Sequence, residues 1–293
     1  MKCMLCPLRC GADRSAGKGL CNAGEIPLVA RAALHMWEEP CISGTNGSGA
    51  VFFSGCNMRC VFCQNYVLGD GTLGRPCTPT ELAGIYLSLE KQGAHNINLV
   101  TPTPHLTAIR ESLLIAKEKG LNIPIVYNTN GYELVSSLKT LEGLVDIYLP
   151  DLKYVSPLLS ERFSGRKDYF RYASEAICEM QRQVGLLHTD ASGLADRGLI
   201  VRFLLLPGCV DDARSVLDFI AENLPHETAV SVMRQYAPIP GPLPKPLDRR
   251  VTGREYERTV EYALSLGLEN LLIQEKGSAT LAYTPDFFSF TIS

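Results

Sequence analysis

An α/β fold is predicted, an incomplete (β/α) barrel of the TIM-like type with a small cysteine-rich extension at its N-terminus. Three observations predict it. Seven short apolar runs alternate with longer runs of helical periodicity, the pattern of a parallel sheet with helices outside. The 293 residues are 46% apolar and 20% charged, enough core for one barrel or for two ordinary domains and too apolar for disorder. Four of the eleven cysteines fall within the first residues, at Cys3, Cys6, Cys10 and Cys21, where glycines replace apolar periodicity.

Taken in order, residues 1–45 form the expected metal-binding extension and residues 46–293 the barrel. Cys3, Cys6, Cys10 and Cys21 stand among Pro7, Gly11, Gly17, Gly19 and Gly24, and glycines permit the tight turns that bring four sulfurs together. Zinc is the first choice for that site and an auxiliary iron–sulfur cluster the second, because little apolar sequence is present to order the segment otherwise. Residues 26–43 show a weak alternation (Ile26, Val29, Ala30, Ala33, Leu34) closed by Glu38-Glu39-Pro40, and read as a connecting segment on the barrel edge. The glycine-rich residues 44–49 read as a flexible turn, since a dinucleotide fingerprint follows a strand and this run precedes one.

The strands are expected at 50–53, 96–100, 124–127, 145–149, 199–206, 230–235 and 270–274. Helices are expected between them at 80–91, 106–119, 132–141, 169–184, 213–223 and 254–266. Seven strands are one short of the eight that close a barrel, so an open side is predicted. In such sheets the chemistry collects at the carboxyl ends of the strands.

A net charge of −3, with no basic stripe, gives no case for nucleic acid. The first residues carry cysteines and charges in place of the apolar core of a secretory signal, and no run reaches the length of a membrane span. A cytoplasmic protein is expected, in which the cysteines serve metal ligation over disulfides.

The chain is organised around Gly55-Cys56-Asn57-Met58-Arg59-Cys60-Val61-Phe62-Cys63, directly after the first predicted barrel strand. Cys56, Cys60 and Cys63 are spaced C-x3-C-x2-C, three thiolates for three irons of one cubane, which leaves the fourth iron open to a substrate or cofactor. C-x3-C-x-aromatic-C after a first strand resembles the signature of the radical S-adenosylmethionine (SAM) enzymes. With Gln64-Asn65, Asn128-Thr129-Asn130-Gly131 and Asp151-Leu152-Lys153, the chain over roughly residues 50–277 resembles the activating enzymes of pyruvate formate-lyase and related glycyl radical enzymes. The N-terminal cysteines are similar to those of uncharacterised relatives of these activating enzymes, and differ from the better-known ones.

The resemblance implies a 4Fe–4S cluster on Cys56, Cys60 and Cys63 with SAM on the open iron. Phe62 would stack on the adenine. Thr101 and Thr103, in Thr101-Pro102-Thr103-Pro104-His105, stand where most such enzymes carry a glycine-rich contact for the SAM amino group. Asn128, Thr129, Asn130 and Asp151 would line the SAM carboxylate, with room for a monovalent cation, although Asn128 replaces the usual aspartate. Lys153, two residues from Asp151 on one face of an extended chain, suits a carboxylate. Arg202 lies inside a predicted strand and needs a partner or a cavity; the resemblance places it by the SAM carboxylate or the substrate backbone. Gln235 or Tyr236 would meet the nucleoside where the better-known enzymes carry a histidine, and His105 is a candidate for substrate contact or proton transfer.

The expected reaction is reductive cleavage of SAM to methionine and a 5′-deoxyadenosyl radical that abstracts hydrogen, with flavodoxin or ferredoxin as electron donor. The hydrogen would come from the glycine backbone of a glycyl radical enzyme, or alternatively from a small molecule. A second class of reading is a non-catalytic electron carrier, in which Cys77 supplies a fourth ligand. Cys41, Cys77, Cys178 and Cys209 otherwise read as small apolar residues.

Overall fold

The computed structural model describes residues 2–274, 277–279 and 284–288. Residues 275 and 276, within the stretch of the resemblance, and residues 280–283 and 289–293, within the stretch expected to form the barrel, lie outside the described residues. One sheet dominates, built from β1 (Leu28–His35), β2 (Ser48–Phe53), β3 (Arg75–Pro76), β4 (Ile97–Val100), β5 (Ile125–Thr129), β6 (Ile147–Pro150), β7 (His188–Thr189), β8 (Ala195–Leu204), β9 (Ala229–Met233) and β10 (Leu271–Ile273). The order is β10-β9-β8-β6-β5-β4-β2-β1-β3, with β7 on β8. The seven predicted strands are the seven that run parallel, from β2 to β10. The sheet is not closed, and β1 pairs antiparallel on the β2 edge.

The helices are α1 (Pro40–Ser43), α2 (Pro79–Lys91), α3 (Leu106–Glu118), α4 (Val135–Leu138), α5 (Pro157–Ser164), α6 (Tyr169–Val184), α7 (Val210–Asn223) and α8 (Gly253–Ser265). Capping boxes start α2 (Thr78 with Glu81) and α8 (Thr252 with Glu255), each satisfying two backbone donors that a helix start leaves open. Such a cap is worth about 1 kcal/mol. Alternate strand residues divide two cores. Tyr127, Tyr148, Leu199 and Val230 face the helices, while Val126, Ile147, Leu149, Ile200 and Ala229 face inward. No described helix is long and apolar enough to cross a membrane.

Three sequence expectations differ from the structure. Residues 26–43 lie on the barrel edge as expected but are more than a connector: β1 is a full strand, with its alternation blurred because small Ala30 and Ala32 supply buried positions. The chain after β1 turns into the barrel, so that Ile42 of α1 joins the inward core with Val126, Ile147 and Ile200. Complete burial of one such side chain is worth roughly 1.5–3 kcal/mol. The expected helix at 132–141 shrinks to α4 and a 3-10 turn, Lys139–Leu141, because Tyr132 and Glu133 are taken up by tertiary hydrogen bonds. The helix α5, too short to show a period, was not expected from the sequence.

Candidate active site

The cysteine loop leaves β2 through Gly55, whose φ of +93° and whose Cβ position, 2.9 Å from the Cys21 carbonyl oxygen, together require glycine. Its backbone is then tied down on several sides. The Cys56 amide donates to the Cys21 carbonyl at 2.9 Å, the Val61 amide to the Phe163 carbonyl at 2.9 Å, and the Arg166 guanidinium to the Asn57 carbonyl at 2.8 Å. Asn57 donates to the Tyr132 carbonyl at 2.7 Å and accepts from Asn130 at 2.8 Å.

Donors also reach the sulfurs. The Ser164 hydroxyl lies 3.0 Å from Cys60 Sγ, the Met58 amide 3.4 Å from Cys56 Sγ, and the Asn130 amide 3.5 Å from the same sulfur. Such donors stabilise thiolates bound to iron. Burial pushes the Cys56 thiol up to about 11 and Cys63 to about 12, and raises Cys60. Ligation therefore has to displace protons. Among the described residues no His, Cys, Asp or Glu set is closed around a single ion, whereas a cubane takes its three thiolates on three separate irons. Cys56, Cys60 and Cys63 line one cavity of about 480 Å³, and the donors on their sulfurs fit a cluster there.

Strand-end residues and, from the segment after β1, Trp37 and Glu38 line this cavity together. Phe62, Thr101, Asn128, Thr129, Asn130, Asp151, Lys153, Arg202 and Gln235 all line it, as the sequence grouped them. Thr101 does so at a φ of +61°, a conformation rare for a β-branched residue. Phe62 packs edge-on to Tyr236, with ring centroids 6.2 Å apart. Gln235 accepts from the Gln274 amide at 3.1 Å.

Beneath the cysteines lies a buried charge network. Arg202 donates to Asn128 at 2.6 Å and Asp151 at 3.1 Å, and its guanidinium stands 3.3 Å from Glu38. Glu38 also accepts from Asn98 at 3.0 Å and Asn128 at 3.2 Å. Lys153 Nζ sits 2.6 Å from the other Asp151 oxygen. Burial works against the Asp151 carboxylate, but Lys153 and Arg202 outweigh it and hold the carboxyl below its usual range. Burial likewise opposes the Lys153 ammonium, and Asp151 and Cys60 reverse the effect. Burial raises the Glu39 carboxyl, and the Arg202 charge opposes it.

This network bears on the monovalent cation. Both Asp151 oxygens already face fixed protein cations, and the Asn128 carbonyl oxygen is taken by Arg202. The residues present do not fit an added monovalent ion, which would meet Lys153 and Arg202 at close range. Glu38, Glu39 and Ser164 escaped sequence reasoning because nothing local marks them; only the turn of residues 36–43 into the barrel and the packing of α5 bring them here.

Three sequence candidates stand elsewhere. Thr103 is fully buried, outside the cavity lining, with its hydroxyl 2.6 Å from Glu133. His105 is buried against the Ser54 carbonyl at 2.8 Å, and burial lowers it to about 4, so it is neutral at physiological pH and off the cavity. Cys77 lies in the helix-facing core and does not line the cavity, which removes it as a fourth cluster ligand.

Glu133 was not anticipated either. One of its oxygens takes the hydroxyls of Thr103 and Thr129, both at 2.6 Å, and of Tyr127 at 3.2 Å, while the other is buried without a partner. Burial, only partly offset by these donors, raises its carboxyl from 4.5 to about 7. The native chain thus holds a proton that the unfolded chain releases. Its stability from this group is complete below pH 4.5 and is lost as pH rises through 7, by about 3 kcal/mol in all. Glu133→Gln is expected to remove that fall, measured as urea unfolding at pH 5 and pH 8. An unchanged pH slope would refute it.

Known proteins agree with this geometry. The radical SAM superfamily model matches residues 50–185. An uncharacterized protein of Methanocaldococcus jannaschii, MJ0674, is 33% identical over 278 residues, covering 91% of this chain and 75% of its own. Among solved structures, Streptococcus suis SuiB bound to S-adenosylmethionine aligns with a TM-score of 0.52 at 15% identity, over 76% of this chain and 49% of that one. HydG, a maturase of the FeFe hydrogenase, aligns with a TM-score of 0.52 at 15% identity, over 75% and 50%. The chain spans about half the length of these solved structures, which share its fold. An identity of one third along most of both chains, joined to a family model that begins in β2 and takes in the cysteine loop, makes this chain a member of the radical SAM superfamily.

Proposed function

We propose that this chain is a SAM-cleaving enzyme that generates a radical on a glycine backbone of a partner polypeptide, in the manner of a glycyl radical enzyme activator. When bound, a 4Fe–4S cluster on Cys56, Cys60 and Cys63, reduced by flavodoxin or ferredoxin, supplies the electron that divides SAM into methionine and a hydrogen-abstracting 5′-deoxyadenosyl radical. The chain's own residues do the rest. Lys153 binds the SAM carboxylate, Asp151 fixes Lys153, and Arg202 fixes Asp151. Asn130 and Ser164 hold the sulfurs by hydrogen bonds, and Phe62 with Tyr236 forms an apolar wall that excludes water.

The observation that carries the polypeptide reading is the cavity itself. About 480 Å³ has to hold both cluster and SAM, in the lower half of the usual range for a single ligand site. Little room is left for a separate buried substrate, so the hydrogen donor is met at the mouth, where Trp37 and Tyr66 are 59% and 54% exposed. An extended backbone can enter there.

Anaerobic reconstitution with iron and sulfide, followed by reduction and assay for 5′-deoxyadenosine, tests the first half. The native chain is expected to turn over, and the Cys56→Ala, Cys60→Ala, Cys63→Ala chain is not. No product from a fully loaded native chain would defeat the SAM-cleaving reading. Electron paramagnetic resonance of a host glycyl radical enzyme incubated with the active chain tests the second half. Turnover with no glycyl radical signal in any such partner would transfer the proposal to a small-molecule donor.

A further inference from the structure

The N-terminal segment is ordered with little core of its own. Of the apolar residues in 2–24, Cys6, Pro7, Cys21 and Ala23 are buried and Leu8 packs partly buried on the main core, while Met4 and Leu20 are more than half exposed. Fixing so many backbone residues costs roughly 1–2 kcal/mol each, so a segment this poor in apolar contacts needs a staple.

Its four cysteines are gathered. The Cys3 amide donates to the Ala12 carbonyl at 2.9 Å, the Gly11 amide to the Cys3 carbonyl at 3.0 Å and the Arg9 amide to the Cys6 carbonyl at 2.9 Å, which folds the first three cysteines into one tight loop. Left-handed backbone at Arg9 (φ 39°), Gly11 (φ 64°) and Asn22 (φ 61°) brackets Cys10 and follows Cys21, folding the chain sharply at each. Gly19 leaves a cradle: a Cβ there would stand 3.4 Å from Cys10 Sγ and 3.5 Å from Cys21 Sγ, in space beside both sulfurs.

The same turn grips the cluster loop from both ends. The Cys21 carbonyl takes the Cys56 amide at 2.9 Å, and the Leu20 carbonyl takes the Arg59 guanidinium at 3.2 Å. At the far end Asn22 donates to the Gly69 carbonyl at 2.9 Å and Lys18 to the Gly71 carbonyl at 2.6 Å. A Cβ on Gly71 would meet the Asn22 carbonyl oxygen at 2.0 Å, so the two backbones lie in direct contact.

We propose that Cys3, Cys6, Cys10 and Cys21 bind one metal centre of four thiolates, and that this centre positions the loop carrying Cys56, Cys60 and Cys63 by fixing residues 18–22. Because no set of described side chains closes around a single ion, four separate irons of a 4Fe–4S cluster suit these thiolates and a lone zinc does not. The positioning half rests on a cluster at the Cys56 triplet; the existence of the N-terminal centre does not.

The test begins with the full chain carrying Cys56→Ala, Cys60→Ala and Cys63→Ala, reconstituted anaerobically with zinc in one arm and with iron and sulfide in the other, then desalted. About four iron with four sulfide are expected to remain per chain in the iron arm, and no stoichiometric zinc in the zinc arm. Adding Cys6→Ser and Cys21→Ser is expected to abolish retention, and Cys178→Ser, at an exposed position, to leave it intact. No iron retained would overturn the site, and one zinc retained per chain would overturn its assignment to a cluster.

With the triplet intact, Cys6→Ser plus Cys21→Ser is expected to shorten the half-life of the triplet cluster under an iron chelator by about tenfold to hundredfold, as other supporting-residue losses do. Far-ultraviolet circular dichroism checks that the barrel persists, and Cys3→Ser, at a partly buried position, replaces the double variant should it not fold. An unchanged half-life would overturn the positioning role. A triplet-intact chain that takes up no iron would instead count against the cluster, with the metal count of the first arm standing by itself.

Discussion

Arg202→Leu is expected to lower the unfolding free energy by about 3–5 kcal/mol, the cost of breaking a buried ion pair by removing one partner. The guanidinium lies between Glu38, Asp151 and Asn128, and side chains in the network are less than a fifth exposed. Leucine fills part of the volume but leaves the Glu38 and Asp151 carboxylates without the guanidinium they share, with Asp151 keeping Lys153 alone. The outcome is read from urea unfolding at neutral pH. Because the cost comes from unpaired charge, adding Glu38→Gln to Arg202→Leu is expected to recover part of the loss, a coupling that a pure packing defect lacks. A loss below about 1 kcal/mol in the single variant would show that the network is solvated and that Arg202 is not its keystone.

Lys153→Met is expected to weaken SAM binding by at least thirtyfold while leaving cluster content unchanged. The ammonium is the cation of the network closest to the cysteines, lowering the cost of charge on Cys56, Cys60 and Cys63. Truncating one partner of a buried charge pair costs about 2–5 kcal/mol, or thirtyfold and upward in affinity. The loss includes the repulsion between a SAM carboxylate and an Asp151 left with Arg202 alone. Equilibrium binding of SAM to the reconstituted chain measures it. Since Lys153 and Arg202 fill the place of a free cation, native affinity is expected to be equal in sodium, potassium and a bulky organic cation at one ionic strength. In Lys153→Met a preference among these ions is expected to emerge. Native affinity retained by the variant would reduce Lys153 to a structural partner of Asp151.

The two predictions draw unequally on the sequence. Lys153 was legible because Asp151-Leu152-Lys153 follows an apolar run at a strand end, and a strand end in a parallel sheet is where chemistry collects. Arg202 was legible as a charge that needed partners, but which partners was not. Glu38 lies more than a hundred residues earlier, in a stretch whose only local signal was the end of a weak alternation. The cysteine triplet was fully legible, whereas the Ser164 hydroxyl on Cys60 and the Cys21 carbonyl on Cys56 were not, since single hydrogen bonds across the fold leave no periodic trace. Thr103 and His105 looked like site residues by position, and burial against Glu133 and the Ser54 carbonyl takes them out of the cavity.

The sequence by itself determined the parallel strands, the open-sided barrel and the three thiols at its rim. These follow from hydrophobic period and ligand spacing, which are written between near neighbours along the chain. Only the tertiary structure decided what lies inside. One short segment after β1 enters the barrel, Ile42 seals its inner core, and Glu38 meets Arg202 below the cavity. A buried charge is stable only with partners, and those partners come from loops whose paths are set by packing.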